Sequence, residues 1–319
     1  MNGIEIVSTG YAKIEKTLDN QQLEQMVETS NEWIVSRTGI LKRHLSDKSS
    51  AFLAIEAAKK ATQNQDLSQL ALIIVATMTP ENNTPSNACL VQKALGLNHQ
   101  SMMCFDINVA CSGYVYALKV AQSLLEENQY GLVIGSEQLS SIVDYQDRNT
   151  CILFGDGAGA VFLEADEKSR YAQVTHSEGE KGRALTCSSR NQKQYVEHPD
   201  AQETYMEMDG REVFKFAVSC VPQVIRELLE KEKLSGEEIR FYILHQANIR
   251  IIQSVAKRLG EAEEKFPVNI QEYGNTSGAS VPILLDELNR KGCFKAGDKL
   301  VLAAFGAGLS YGASLLEWK

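Results

Sequence analysis

The chain has 319 residues and a net charge of −9, with 44% hydrophobic and 23% charged residues. This is the composition of an ordinary globular protein, long enough for one large domain or two medium ones, and its acidic balance argues against a general attraction to nucleic acid. Seven cysteines (Cys89, Cys104, Cys111, Cys151, Cys187, Cys220, Cys293) are scattered without a CxxC pair, which argues against a zinc site or a disulfide framework and fits a reducing, cytoplasmic setting.

The N-terminal run MNGIEIV has no basic flank and no long apolar stretch, so no signal peptide is expected. No apolar run approaches the roughly 20 residues of a membrane helix. Trp33 and Arg37 stand four apart with Thr38 adjacent, and in a helix they share one face. Leu70–Ala76 reads as a buried strand, and Ser86–Leu95 as a helix closed by Gly96. Met103–Asn108 is the next strand. It leads into DINVACSGY, where Cys111 sits among small residues before the apolar helix Gly113–Leu125. A thiol at a helix start meets free N–H groups and the positive end of the macrodipole, both of which favour thiolate. Taken alone, the segment fits a buried structural cysteine better than a reactive one. Leu132–Gly135 and Gly159–Leu163 follow as strands. Gly155–Gly159 (GDGAG) lacks the Lys-Ser/Thr of a phosphate loop and precedes a strand, so it reads as close backbone packing. The polar stretch Thr186–Tyr205 carries no motif and reads as a surface excursion.

The second half repeats the rhythm. Phe241–Leu244 is a strand, His245-Gln246-Ala247-Asn248 a turn, and Ile249–Leu259 a helix closed by Gly260. Pro267–Ile270 reads as a short strand, and Val281–Leu288 as a helix after Tyr273–Gly278. Leu300–Phe305 is a strand ending at Gly306-Ala307-Gly308. Two similar α/β halves follow, residues 1–170 and 171–319. In this overlay Cys111 falls near Asn275, and the loop after Val75 falls on His245. All three candidates stand at strand C-termini, where open α/β sheets build their sites.

The stretches NEWIVSRTGILKRH (Asn31–His44), VACSGYVYAL (Val109–Leu118), ILFGDGAGAVFL (Ile152–Leu163), MDGREVFKFAV (Met208–Val218), LHQANIRI (Leu244–Ile251), YGNTSGASVP (Tyr273–Pro282) and FGAGLSYG (Phe305–Gly312), in this order, resemble the beta-ketoacyl-[acyl-carrier-protein] synthase III family. The resemblance covers essentially the whole chain. It implies the thiolase fold, a five-layered α-β-α-β-α arrangement of two duplicated halves, and a homodimer that needs no cofactor or metal. The implied reaction is a decarboxylative condensation of an acyl-CoA primer, acetyl-CoA first, with malonyl-acyl carrier protein (ACP). It gives 3-oxoacyl-ACP, CoA and CO2 and starts fatty-acid synthesis.

On these motifs the resemblance makes Cys111 the nucleophile that carries the acyl group, and His245 and Asn275 the donors that hold the enolate oxygen after decarboxylation. It puts the oxyanion hole at the backbone N–H groups of Cys111 and Ala307. CoA falls to Trp33, Arg37, Thr38, Arg148, Gly210 and Asn248. The carrier protein falls to Gln246, Ala247, Asn248, Ile249, Arg250, Lys215 and Lys257, a cationic face on an acidic chain. The resemblance also implies that Phe154 gates the acyl pocket. Thr84 stands where some relatives carry a bulky aromatic, so longer or branched primers are an open expectation. Asn108 carries no functional reading. A paralogue with a different starter or acceptor is the alternative. A thiolase would need a second cysteine in Phe305–Gly312, which has none, and a non-catalytic subunit would be expected to lack Cys111 or His245.

Overall fold

The computed structural model describes residues 3–188 and 205–319. Two mixed sheets organise it. The first contains β1 (Gly3–Tyr11), β2 (Leu70–Ala76), β3 (Met103–Ile107), β4 (Tyr130–Glu137) and β5 (Gly157–Asp166), in the order β1-β5-β4-β2-β3. The second contains β6 (Tyr171–Ser177), β7 (Ile239–Leu244), β8 (Lys299–Gly306) and β9 (Ser310–Glu317), in the order β6-β9-β8-β7. Directions match as well. In each sheet the first two pairings are antiparallel and the next is parallel. The duplication read from the motifs is therefore present in the topology, with β3 lacking a counterpart.

That missing strand is the expected one at Pro267–Ile270, which forms no strand. Proline has no N–H for a ladder. The Asn269 N–H donates instead to the Gln246 side chain at 3.1 Å, and the chain turns at once into a short helix, Ile270–Tyr273.

Helices complete five layers. Gly113–Leu124 and Ser280–Arg290 lie between the sheets and bury their apolar faces against both. Ser50–Ala61 and Asn87–Ala94 cover the outer face of the first sheet. Gly210–Glu232 and Ile249–Leu259 cover the second. Strands sandwiched in this way read as continuous apolar runs, and LALIIVA in β2 is such a run, Leu72–Ala76 being almost wholly buried. The 23-residue Gly210–Glu232 helix contains Pro222 and was visible in the sequence only as the MDGREVFKFAV stretch. No helix among the described residues is long and apolar enough to cross a membrane.

The GDGAG run behaves as close packing. A Cβ on Gly159 would stand 2.6 Å from the Ile283 backbone N, and one on Gly157 2.7 Å from Ile283 Cδ1. The middle-layer helix therefore lies directly on β5. Asp156 in the same run is buried and accepts from Ser46 N–H (2.7 Å) and Ser140 N–H (2.8 Å), tying two loops to the sheet edge.

Candidate active site

Cys111 sits in a single 3-10 turn, Ala110–Ser112, between the end of β3 and the Gly113–Leu124 helix. The turn is a strained device: Ala110 has φ 45° although it carries a Cβ. Asn108 holds it, its Oδ1 accepting from Ala110 N–H at 3.2 Å. The second half uses the same device. Ser277 has φ 49°, and Asn275 Oδ1 accepts from its N–H at 2.9 Å; the turn Ser277–Ala279 then enters the Ser280–Arg290 helix. The two turns correspond so that Asn275 matches Asn108 and Cys111 matches Gly278, three residues from the overlay drawn on sequence. Asn108 thereby acquires a role as the brace of the Cys111 turn.

The thiol environment corrects an expectation. Burial pushes the Cys111 thiol up to about 12, and a hydrogen bond from Ser277 pulls the other way without overcoming it. Loss of solvent favours the neutral thiol over the thiolate expected from the helix start. Ser112 and Gly113 N–H groups are taken by the Val109 and Ala110 carbonyls. Apart from its contact with its own thiol, the Cys111 N–H has no partner among the described hydrogen bonds.

His245 follows β7 and is buried. Its N–H donates to the Ala303 carbonyl at 2.8 Å. Its Nδ1 lies 2.7 Å from Ser280 Oγ, and the Phe305 ring meets the imidazole edge-on at 5.4 Å. Burial pushes His245 down to about 3, so the ring is neutral. Asn275 is fixed by its backbone, its N–H donating to the Leu153 carbonyl (2.9 Å) and its carbonyl accepting from Gly155 N–H (3.0 Å). With Oδ1 engaged by Ser277, the Asn275 side chain keeps its Nδ2 donors for the cavity.

Cys111, His245 and Asn275 line one cavity of about 120 Å3 together with Phe154, Phe305 and Gly306. Behind the thiol a pocket of about 20 Å3 is closed by Met78, Phe154, Leu185, Cys187 and Met206, with Ser277 and Ala307 on its wall. Outward, Leu153, Met208 and Gly210 are shared with a groove of about 700 Å3 that also contains Trp33, Thr38 and Arg211. A long flexible substrate can lie in the groove and reach the thiol.

Trp33 and Arg37 share the helix Asn31–Thr38. The guanidinium of Arg148 stands 5.1 Å from the Trp33 ring centroid, and that of Arg37 stands 5.9 Å away. Asn248 lines the inner cavity and links the two regions, its Nδ2 donating to the Arg37 carbonyl at 2.9 Å. Arg250, Lys257 and Lys215 are exposed, Lys215 being paired with Glu212 at 2.7 Å. Ala247 and Ile249 are half-buried. Gln246 is not on the surface: it is 1% exposed, and its amide bonds the Leu244 carbonyl and the Asn269 N–H. It braces the turn and cannot meet a partner. Thr84 is exposed, in a loop outside these cavities. Most of the stretch expected as a surface excursion, 189–204, lies outside the described residues.

Sequence reasoning missed three neighbours of the site. Gly306 presses on Cys111, since a Cβ there would stand 2.8 Å from Cys111 N; its signal was the glycine turn, from which Ala307 was chosen. Ser277 touches the thiol and Ser280 touches His245. Both belong to the TSGAS run, whose hydroxyls precede a helix and read as capping residues.

The family model described as 3-oxoacyl-[acyl-carrier-protein (ACP)] synthase III matches residues 105–181, and the model of its C-terminal part matches residues 229–318. Beta-ketoacyl-[acyl-carrier-protein] synthase III from Clostridium botulinum is 43% identical, covering 100% of this chain and 99% of the relative. The Clostridium perfringens protein of that name is 44% identical over 99% and 100%. The crystal structure of 3-oxoacyl-[acyl-carrier-protein] synthase III from Aquifex aeolicus superposes with a TM-score of 0.91 at 42% identity, covering 99% of this chain and 100% of the other. The priming beta-ketosynthase of the R1128 polyketide pathway gives 0.92 at 31%, covering 99% and 96%.

Proposed function

Since the chain belongs to the 3-oxoacyl-[acyl-carrier-protein] synthase III family, acyltransferases that open fatty-acid synthesis by condensation, we propose that Cys111 carries the primer acyl group and that His245 and Asn275 serve the decarboxylation of malonyl-ACP. The observation that carries this reading is the single cavity lined by all three side chains.

In the first half-reaction the Cys111 sulfur attacks the thioester carbonyl of an acyl-CoA. The oxyanion is held by the Cys111 and Ala307 N–H groups. The carbon–sulfur bond to CoA breaks, and the thiol proton leaves with the CoA sulfur, so the step is proton-neutral and requires no preformed thiolate. In the second, the carboxylate of malonyl-ACP departs as CO2 and its bonding pair forms an enolate. One imidazole N–H and one carboxamide N–H receive that oxygen in a dry site, where aimed donors count most. A neutral His245 suits this, because a donor that kept titrating would lose its proton to the enolate. The enolate carbon attacks acyl-Cys111, the carbon–sulfur bond breaks, and the departing thiolate takes a proton from solvent to regenerate the thiol.

The small pocket behind the thiol supports a short primer, acetyl first. Trp33, Arg37, Thr38, Arg148, Gly210 and Asn248 form the proposed CoA path. Arg250, Lys257 and Lys215, with Ala247, Asn248 and Ile249 at their edge, form the proposed carrier-protein face. The reading includes a cytoplasmic homodimer of two halves, 1–170 and 171–319. It is supported by seven free thiols and by β3, which pairs only with β2 among the described residues and leaves Met103 47% exposed.

The test separates the half-reactions. With labelled acetyl-CoA, the wild type takes one label on Cys111 and Cys111→Ala takes none. His245→Ala and Asn275→Ala take the label but fail to condense with malonyl-ACP. Equal loss of both steps in the two variants would refute the division of roles.

A further inference from the structure

We propose that Ser280 is a positioning residue that fixes His245 in the tautomer carrying its proton on Nε2. The inference deepens the reading above and rests on it.

Ser280 Oγ stands 2.7 Å from His245 Nδ1 and 3.3 Å from the backbone N of Gln246. Both Ser280 and His245 are 2% exposed, so water does not arbitrate between them. A backbone N–H can only donate, so the Gln246 contact occupies a lone pair of the hydroxyl. The hydroxyl proton then needs an acceptor. Among the described hydrogen bonds Ser280 Oγ has no other partner, and Nδ1 is the one acceptor within reach. Ser280 therefore donates to Nδ1. A neutral imidazole that accepts at Nδ1 carries its single proton at Nε2, on the other side of the ring, and His245 lines the cavity shared with Cys111 and Asn275. The opposite tautomer would donate into the second lone pair of the hydroxyl and leave the Ser280 hydroxyl proton without an acceptor inside the protein, where an unmet donor is costly. It would also turn a lone pair toward the enolate.

Ser280 opens the middle-layer helix that follows Asn275, and Asn275 sits at the start of the same segment. The two enolate donors are thus set from one stretch of chain, Asn275 directly and His245 through Ser280.

The experiment uses full-length enzyme with ring-15N histidine, the Ser280→Ala and Ser280→Thr variants, and His245→Ala as reference. Long-range 15N–1H correlations should show wild-type His245 as the Nε2–H tautomer. In Ser280→Ala, kcat for condensation should fall on the order of 100- to 1,000-fold, as for a donor lost from an oxyanion site, while KM for malonyl-ACP and the labelling of Cys111 stay within about threefold. Ser280→Thr, which keeps the hydroxyl, should restore condensation to within about fivefold. An Nδ1–H tautomer in the wild type overturns the proposal without any variant, as does full condensation by Ser280→Ala or equal failure of the Ala and Thr variants in a folded protein. If His245→Ala itself condenses normally, the parent reading fails as well. If His245→Ala is inactive and Ser280→Ala is not, only the role of Ser280 fails.

Discussion

Gly306→Ala is a one-methyl perturbation aimed at the proposed nucleophile, Cys111, from outside its own turn. A Cβ at this position would stand 2.8 Å from Cys111 N, 3.0 Å from Cys111 Cβ and 3.2 Å from Cys111 Cα, where ordinary contact begins near 3.4 Å. The nearest atom is backbone and cannot swing aside, so the turn must retreat by about 0.6 Å to restore contact distance. Its neighbours resist, because Asn108 braces Ala110 at 3.2 Å and the Ser112 hydroxyl donates to the Ser310 carbonyl at 3.0 Å. Overpacking of this kind costs about 1–3 kcal/mol of stability. A misplacement approaching 1 Å at a reacting centre costs on the order of 100-fold in rate, so a 0.6 Å shift predicts a loss of about 10- to 50-fold in acylation. Intact mass after rapid quench from acetyl-CoA measures that rate, and a thermal melt measures the strain. Gly179→Ala is the control, since an added methyl there meets nothing within 4 Å. Acylation of Gly306→Ala within threefold of wild type, with an unchanged melt, would refute the tight seat inferred for Cys111.

Alkylation of Cys111 by iodoacetamide, followed on its own peptide by mass spectrometry, should rise about tenfold per pH unit from 6 to 9, because burial keeps the thiol protonated; a plateau below pH 7 would show a preformed thiolate. Trp33→Ala removes a ring that is 38% exposed and stacked by Arg148. It should raise KM for acyl-CoA by about tenfold, the worth of one aromatic stack, with kcat and the melting temperature little changed; an unaltered KM would remove Trp33 from the CoA path. Glu137 is wholly buried, accepting from the Thr79 hydroxyl (2.7 Å) and the Met78 N–H (3.1 Å), and burial pushes its carboxyl from the ordinary 4.5 up to about 7. The folded chain therefore holds this proton more tightly than the unfolded chain. The contribution to stability is full below pH 4.5 and is lost as pH rises through 7. Glu137→Gln should gain melting temperature relative to wild type as pH goes from 5 to 8, and a relative loss over that range would reverse the sign.

What could be read from sequence was set by periodicity and by glycine. Ile249–Leu259 was bounded by Asn248 and Gly260, and those residues do cap it: Asn248 Oδ1 accepts from Arg250 N–H at 2.8 Å and Gly260 turns left-handed at φ 79°. Such ends are local, so local rules find them. The failures were tertiary. Pro267–Ile270 has the apolar look of an edge strand, but whether an edge is paired depends on a side chain 23 residues away, Gln246, which took the Asn269 N–H for itself. The same buried bond removed Gln246 from the surface expected to meet a partner. The Cys111 thiol was misjudged for a related reason: a helix start is visible in sequence, whereas the protein closing over it is not.

The repeated turn explains why two of the three catalytic candidates, Cys111 and Asn275, were legible together. In each half an asparagine side chain caps a left-handed residue two positions on, and a helix starts in the middle layer; only in the first half does a strand lead into the turn. A left-handed Ala110 or Ser277 costs on the order of 1–2 kcal/mol, and the cap is what offsets it. Both turns are pressed together at the junction of the halves, so the residues that follow or form the caps converge without any long-range design of their own. Divergence then needed few changes. One copy has Cys111 where the other has Gly278, and one cap, Asn275, lines the cavity while the other, Asn108, is exposed and only braces. Replacing Asn108 by alanine should therefore slow acylation through the turn, whereas replacing Asn275 removes a donor as well as a cap and should stop condensation outright.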